Sequence, residues 1–177
     1  MPKWPLYSSR GIRLQISKLD KNHNRKTFDC GSEPINRFIQ QLASQMLKRH
    51  EVIIYVAHDG DTVAGFYTLS ANQIEQADDP NQLKKQSKHT PIPCVLLGRL
   101  AVDQRYQGIG LGRDLLLHAL KTTKQLSQTL GIAFIVVDAK DASAKSFYKA
   151  YGFIELQNKP LRLCYPVASI PSAEQQE

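Results

Sequence analysis

The sequence predicts an α+β fold, an α/β three-layer arrangement with a mixed central sheet of about six to seven strands and about four helices. Three features predict it. Apolar residues at helical spacing alternate along the chain with strand-like runs. The run 132–138 is almost continuously apolar, as expected of a strand covered on both faces. A glycine-rich turn joins one strand-like run, 95–102, to a helix-like run, 113–130. A chain of 177 residues suits a single domain over 1–177 with a sizeable core. Its first 30 residues or so form a basic segment, and a polar tail over 169–177 is expected to fray.

The elements follow in order. Ile12, Leu14 and Ile16 alternate with polar residues, which predicts a first strand. Ser32 is placed as the N-cap of the first helix, with Pro34 inside its first turn, where a missing amide costs little. Ile35, Phe38, Ile39, Leu42, Ala43, Met46 and Leu47 then form one buried face, leaving Arg37, Gln40, Gln41 and Lys48 on the other. Strands over 52–58 and 63–71 flank Asp59-Gly60-Asp61, a hairpin turn. The polar stretch 73–93, with Pro80, Pro91 and Pro93, is expected to be a loop over the active face. Strands at 94–102 and 132–138, a helix over 142–151, and strands at 153–155 and 161–165 complete the order.

Composition removes several function classes. The chain is 42% hydrophobic and 22% charged, ordinary for a globular protein. No apolar run approaches the roughly 20 residues of a membrane helix, and residues 1–10 lack the apolar core of a signal peptide. Cytosolic residence is therefore expected. Cys30, Cys94 and Cys164 are odd in number and lack Cys-x-x-Cys spacing, so reduced, structural thiols are expected and no metal is. The net charge of +7 is uneven. Residues 1–30 carry Lys3, Arg10, Arg13, Lys18, Lys21, Arg25 and Lys26 against Asp20 and Asp29, and residues 101–130 carry a smaller excess. Such clustering fits a polyanionic partner or a solvated basic surface.

The glycine-rich turn is Arg105-Tyr106-Gln107-Gly108-Ile109-Gly110-Leu111-Gly112. Glycines let backbone approach an anion, and the first amides of a helix have no intrahelical partner, so a strand, such a turn and a helix together make a phosphate cradle. A nucleotide P-loop would need Lys-Ser or Lys-Thr after its last glycine, where Leu111 and Gly112 stand after Gly110. A dinucleotide fingerprint needs a different glycine spacing.

Arg-x-x-Gly-x-Gly instead resembles the pyrophosphate loop of the GNAT N-acetyltransferases, which bind acetyl-coenzyme A. Ala144-Lys145-Ser146-Phe147-Tyr148-Lys149-Ala150-Tyr151-Gly152-Phe153 resembles the helix end "FY-x-x-x-GF" of the same family, with Gly152 as a C′ residue of positive φ. Phe28-Asp29-Cys30-Gly31-Ser32-Glu33-Pro34-Ile35-Asn36-Arg37-Phe38-Ile39, then Ala43 and Gln45, is similar to the opening of a toxin branch of that family, and 66–71 and 98–103 also match it. Ile35 stands where that branch usually has leucine. The resemblance spans about Cys30 to Pro166.

The resemblance implies a sheet whose two central strands splay to admit the pantetheine arm, and acetyl-coenzyme A as co-substrate. Its pyrophosphate would lie on the amides of Gln107, Gly108, Ile109, Gly110, Leu111 and Gly112, with Arg105, Arg113 and Asp141 also in its site. The pantetheine would pair with the backbone of Leu100, Ala101 and Val102, where an amide could hold the thioester oxygen. Tyr148 would be the general acid toward sulfur, protonated at neutral pH by an ordinary pKa near 10. Asn36, Arg37, Lys48, Arg49, Ser70 and Arg99 are candidate substrate contacts, together with the N-terminal basic residues and the run Lys84 to Lys88. Toxins of this branch acetylate the α-amine of aminoacyl-tRNA. The resemblance therefore also implies a ribbon-helix-helix antitoxin, a homodimer, and an arrest of translation.

The run 94–102 carries no Glu or Asp, so it offers no general base. A lysine amine, with a pKa of about 10.4, would benefit from one, whereas an α-amine near 8 or lower is partly neutral already. This tilts the acceptor toward α-amines. A water relay, Asp103 or Asp138 would be the fallback base. Two further readings stay open: an acetyltransferase for a small amine or protein amine, and a non-catalytic module binding coenzyme A or nucleic acid.

Overall fold

β2 (Ile12–Lys18), β3 (Ile53–Asp59) and β4 (Thr62–Ile74) form an antiparallel series, with the edge strand β1 (Tyr7–Ser9) added beyond β2. The computed structural model describes residues 7–9, 12–75, 78 and 91–172. Lys3, Arg10 and Lys84 to Lys88 lie outside these residues, as do most of the expected 73–93 loop and the end of the tail.

The chain forms two compact units. Met1–Leu69 with Arg99–Ala119 make the first, and Ser70–Gly98 with Leu120–Glu177 make the second. β4, β5 (Ile92–Val102) and α3 (Leu111–Leu126) each run from one unit into the other. In the first unit the strand order is β1-β2-β3-β4. In the second it is β5-β6-β8-β7, with β6 at Phe134–Asp138, β7 at Ile154–Leu156 and β8 at Lys159–Pro166. β5 and β6 pair in parallel through Cys94–Leu97 and Phe134–Val137, while the β6–β8 and β7–β8 pairs are antiparallel. The sheet is thus mixed, as the sequence predicts. The short strand β1, outside the expected elements, brings the strands among the described residues to eight.

Phe28, Phe38, Ile39, Ile54, Val56, Val63 and Phe66 form the core of the first unit. The first helix differs from its expected form. α1 (Glu33–Arg37) and α2 (Ala43–Lys48) are joined by a π-helical turn, Phe38–Leu42. A π-turn bonds i to i+5, and the Ala43 amide indeed donates to the Phe38 carbonyl. Ala43 is buried, as expected, whereas Leu42, expected on the same buried face, turns outward to 40% exposure. Ser32 occupies the N-cap, but its side chain makes no cap bond. A local knot instead fixes the turn that leads into the helix. Asp29 Oδ1 accepts from the Gly31 amide at 2.9 Å and from Asn36 Nδ2 at 2.8 Å, while Asn36 Oδ1 accepts from the Cys30 amide at 2.9 Å. Gly31 takes φ +85°, which favours glycine at that turn.

In the second unit Ile74, Ile92, Cys94, Phe134, Val136, Leu156 and Cys164 pack together. α4 (Ala142–Ala150) is N-capped by Asp141, whose Oδ1 accepts from the Ala144 amide at 2.8 Å. Gly152 ends it at φ +92°, as its motif predicts. No described helix is long and apolar enough to cross a membrane. Burial pushes the Cys94 thiol up to about 11, so it stays a thiol at neutral pH.

Candidate active site

β5 ends at Val102 and α3 begins at Leu111, and a short connector joins them. Asp103 organises it. Its carboxylate is 1% exposed and accepts four hydrogen bonds: from the Arg105 amide, Arg105 Nε and Arg105 Nη2 at 2.9 Å each, and from the Asp29 amide at 3.0 Å. Burial alone would push this carboxyl up. The bonds from Arg105 and Asp29 outweigh it and hold the group below the usual carboxylate range. Asp103 also caps the 3₁₀ turn Gln104–Tyr106. A saturated carboxylate of lowered pKa is a poor proton acceptor, which removes Asp103 as the fallback base.

Gly108 and Gly110 follow at φ +78° and +85°, a conformation that L side chains rarely adopt. A Cβ at Gly108 would meet nothing within 4 Å, so the surface above the loop is open there. α3 starts directly after Gly110, and the first amides of a helix have no acceptor within it. The positive end of α3 adds to the attraction for a phosphate. The turn therefore fits the pyrophosphate of acetyl-coenzyme A through its backbone.

The individual side chains play different parts. Leu111 is buried, so only its amide can serve a ligand. Arg113, on the exposed surface, pairs with Asp114 at 3.2 Å. Arg105 is spent on Asp103, which makes it a fastener of the loop. Gln107 Nε2 donates to the Val102 carbonyl at 2.9 Å, and so occupies one backbone group on the edge expected to meet pantetheine.

Gly65 on β4 seats the helix. A Cβ there would stand 2.9 Å from Leu115 Cδ1, 3.0 Å from the Ala101 carbonyl oxygen and 3.4 Å from Leu111 Cδ2. Gly65→Val should therefore push α3 off its seat. The expected loss is about 1–3 kcal/mol by overpacking, read as a lowered urea midpoint with weakened acetyl-coenzyme A binding.

In the second unit Tyr148 is buried on α4 among Phe147 and Phe153, with ring centroids 5.2 Å and 5.4 Å away. Its phenol departs from the ordinary value expected of it. Burial penalises the phenolate and raises the pKa to about 12. Asp141, exposed, is engaged as the cap of the same helix. Ser70 is half-buried on β4.

The other proposed substrate contacts lie in the first unit. Asn36 is buried and tied to Asp29 and Cys30, so it shapes the turn before α1. Arg99 lies over the Phe38 ring, 3.8 Å from its centroid. Arg37, Lys48 and Arg49 are exposed, and Arg49 makes a loose pair with Glu51 at 3.8 Å. The N-terminal basic residues are partly gathered. A polar cleft of about 410 Å³ is lined by Lys21, Arg25 and Lys26 with Gln40 and Asp61. Arg25 braces its wall through the Ile39 carbonyl and Ser44 Oγ, while Lys21 and Lys26 stay exposed. Ser17 Oγ lies 3.1 Å from His58 Nε2 and 3.5 Å from His23 Nε2, which pins the loop that carries these cations. Among the described residues no three His, Cys, Asp or Glu side chains gather as metal ligands would.

Sequence reasoning missed Asp103 as a lock and Gly65 as a seat. An Asp before a short turn is a legible cap signal. A strand glycine hints at close approach, but not at what approaches.

The acetyltransferase (GNAT) domain family matches residues 50–155. The probable toxin TacT of Sinorhizobium fredii is 33% identical over 168 residues, covering 89% of this chain and 93% of that protein. AtaT complexed with acetyl-methionyl-tRNAfMet is 33% identical, with a TM-score of 0.83 over 89% of this chain and 96% of that one. A tyrosine-to-phenylalanine mutant of the AtaT toxin, bound to the C-terminus of the antitoxin AtaR and acetyl-CoA, is 32% identical with a TM-score of 0.77 over 89% and 95%.

Proposed function

The chain belongs to the GNAT acetyltransferase family, and from that premise we propose that it moves acetyl from acetyl-coenzyme A to the α-amine of an aminoacyl-tRNA, as the toxin of a type II toxin–antitoxin pair that blocks translation. The observation that carries this reading is the loop from Gly108 to Leu111, a pair of positive-φ glycines opening directly onto the amides of α3. The acceptor class is supported by the carboxylates. β5 has none over its length, and Asp103 just beyond it is saturated. With neither β5 nor Asp103 supplying a base, an amine already partly neutral suits the site. The RNA is supported by the basic cleft at Lys21 and Lys26, and by the tRNA named in the AtaT structure.

Bound acetyl-coenzyme A supplies the thioester: a C–N bond forms to the amine, the C–S bond breaks, the amine loses a proton and the thiolate gains one. The chain's own residues do the rest. Amides from Gln107 to Gly112 hold the pyrophosphate, an amide at Leu100 or Val102 holds the thioester oxygen, and Tyr148 Oη delivers the proton to sulfur. Arg37, Lys48, Arg49, Ser70 and Arg99 remain the candidate substrate contacts, and Asp141 a candidate cofactor contact through its place at the N-terminus of α4. A homodimer and a ribbon-helix-helix antitoxin complete the reading. The antitoxin in the AtaT–AtaR structure supports a partner of that kind.

The test is transfer of labelled acetyl to total tRNA, charged against deacylated. Label on charged tRNA alone is the expected result. No label on either, with coenzyme binding intact, would move the acceptor to small amines or proteins and sink the toxin reading.

A further inference from the structure

We propose that a cleft at the junction of β6 and β8 is the subsite for the aminoacyl group, with Asp138 holding its α-amine and Pro160 and Leu161 its side chain. The inference rests on the aminoacyl-tRNA reading above and names where that substrate's amino acid is held.

The cleft measures about 330 Å³ and is lined by Asp138, Ala139, Lys159, Pro160, Leu161 and Arg162. Backbone pairing builds it. Asp138, the last residue of β6, stands opposite Arg162 of β8, and the Ala139 amide donates to the Leu161 carbonyl at 2.7 Å. Adjacent positions therefore present a carboxylate and an apolar wall. Leu161 is 43% exposed, and Asp138's side chain is 58% exposed at the mouth.

The cations are already engaged. Lys159 pairs with Asp78. Arg162 is mostly buried. Its Nη2 donates to Asn72 Oδ1 at 3.1 Å, and its Nε lies 3.5 Å from Asp138 Oδ1. That Nε is buried without a hydrogen-bond partner. Asp138 is thus attracted toward Arg162 without being closed onto it, and its oxygens remain open to a second donor. An anion would meet Lys159 and Arg162 already paired with Asp78 and Asp138. A ligand with an ammonium beside a short apolar group matches both walls, and an aminoacyl ester is such a ligand.

Among the described residues, the charged and titratable groups near Asp138 include Arg162 on β8, the Lys159–Asp78 pair, the buried Cys94 thiol on β5, and Lys140 and Asp141 in the turn that follows. A carboxylate beside the amine favours its charged form and raises the amine's pKa. Asp138 is therefore a positioning residue, and it moves the pH at which the bound amine becomes reactive.

Two variants test this with a panel of charged tRNAs at saturating acetyl-coenzyme A. Asp138→Asn is expected to raise KM for charged tRNA about tenfold, to leave KM for acetyl-coenzyme A in place, and to move the acid limb of kcat to lower pH. Leu161→Lys, at an exposed site, is expected to shift preference from apolar toward acidic aminoacyl groups. A merely structural Asp138 would not move the acid limb. If both variants keep wild-type KM, acid limb and preference, the subsite is wrong. If the wild type itself labels no charged tRNA, it is the aminoacyl-tRNA reading that fails.

Discussion

Tyr148→Phe is expected to keep acetyl-coenzyme A bound and the fold intact while lowering kcat by about 10²–10⁴, the range for loss of a positioned acid. Phenylalanine preserves the packing against Phe147 and Phe153, so only the hydroxyl is removed. In cells the same change should relieve growth arrest. The pH dependence makes the assignment sharper. As a proton donor Tyr148 would act as the neutral phenol, and burial raises its pKa from 10.0 to about 12. The acid form thus persists throughout the working range. Transfer should rise with pH as the α-amine loses its proton, through its pKa near 8, and then level off and stay level to about pH 10. An ordinary phenol would already be ionising at the top of that range. Single-turnover transfer from pH 6 to 10 separates the two. A decline that starts near pH 9, or a Tyr148→Phe variant as toxic as the wild type, would remove Tyr148 from the chemistry.

Much of the site is legible because its chemistry lies in backbone and glycine. Gly108, Gly110 and Gly152 each stand where φ must be positive, and a glycine of that kind announces itself in sequence. Period-2 and helical patterns likewise place β2, β3, α3 and α4 to within a few residues. What the sequence hides is tertiary. The π-turn at Phe38–Leu42 leaves Leu42 exposed while Ala43 stays buried, and a 3.6-residue template puts both on the buried face. The assignment of Asn36 to substrate follows a motif, whereas its side chain is consumed by Asp29 and Cys30, a bond pattern that only the folded turn reveals. Tyr148's raised pKa is also invisible in sequence, since it depends on the neighbours that exclude water.

Asp103 supports the opposite kind of prediction, an effect on binding rather than on the chemical step. Asp103→Asn replaces acceptor capacity with an NH₂ that faces donors from Arg105 and Asp29. Unsatisfied buried groups of this sort cost about 1–3 kcal/mol, more where a charge takes part. The variant should therefore unfold at lower urea. The amides between Gln107 and Gly112 are aimed by this fastening, so KM for acetyl-coenzyme A should rise about tenfold while kcat at saturation changes little. The pH dependence follows from the sign of the shift. A carboxyl held below its unfolded value stabilises the fold above that unfolded value, near 4, and loses the contribution as pH falls through the folded one. The stability gap between wild type and variant should accordingly be full at pH 7 and close in acid below about pH 4. A gap that stays constant with pH, or a variant with unchanged KM, would show that Asp103 does not lock the coenzyme loop. With Tyr148→Phe altering kcat at unchanged KM and Asp103→Asn altering KM at unchanged kcat, the two substitutions divide the site into the part that holds the coenzyme and the part that protonates its leaving sulfur.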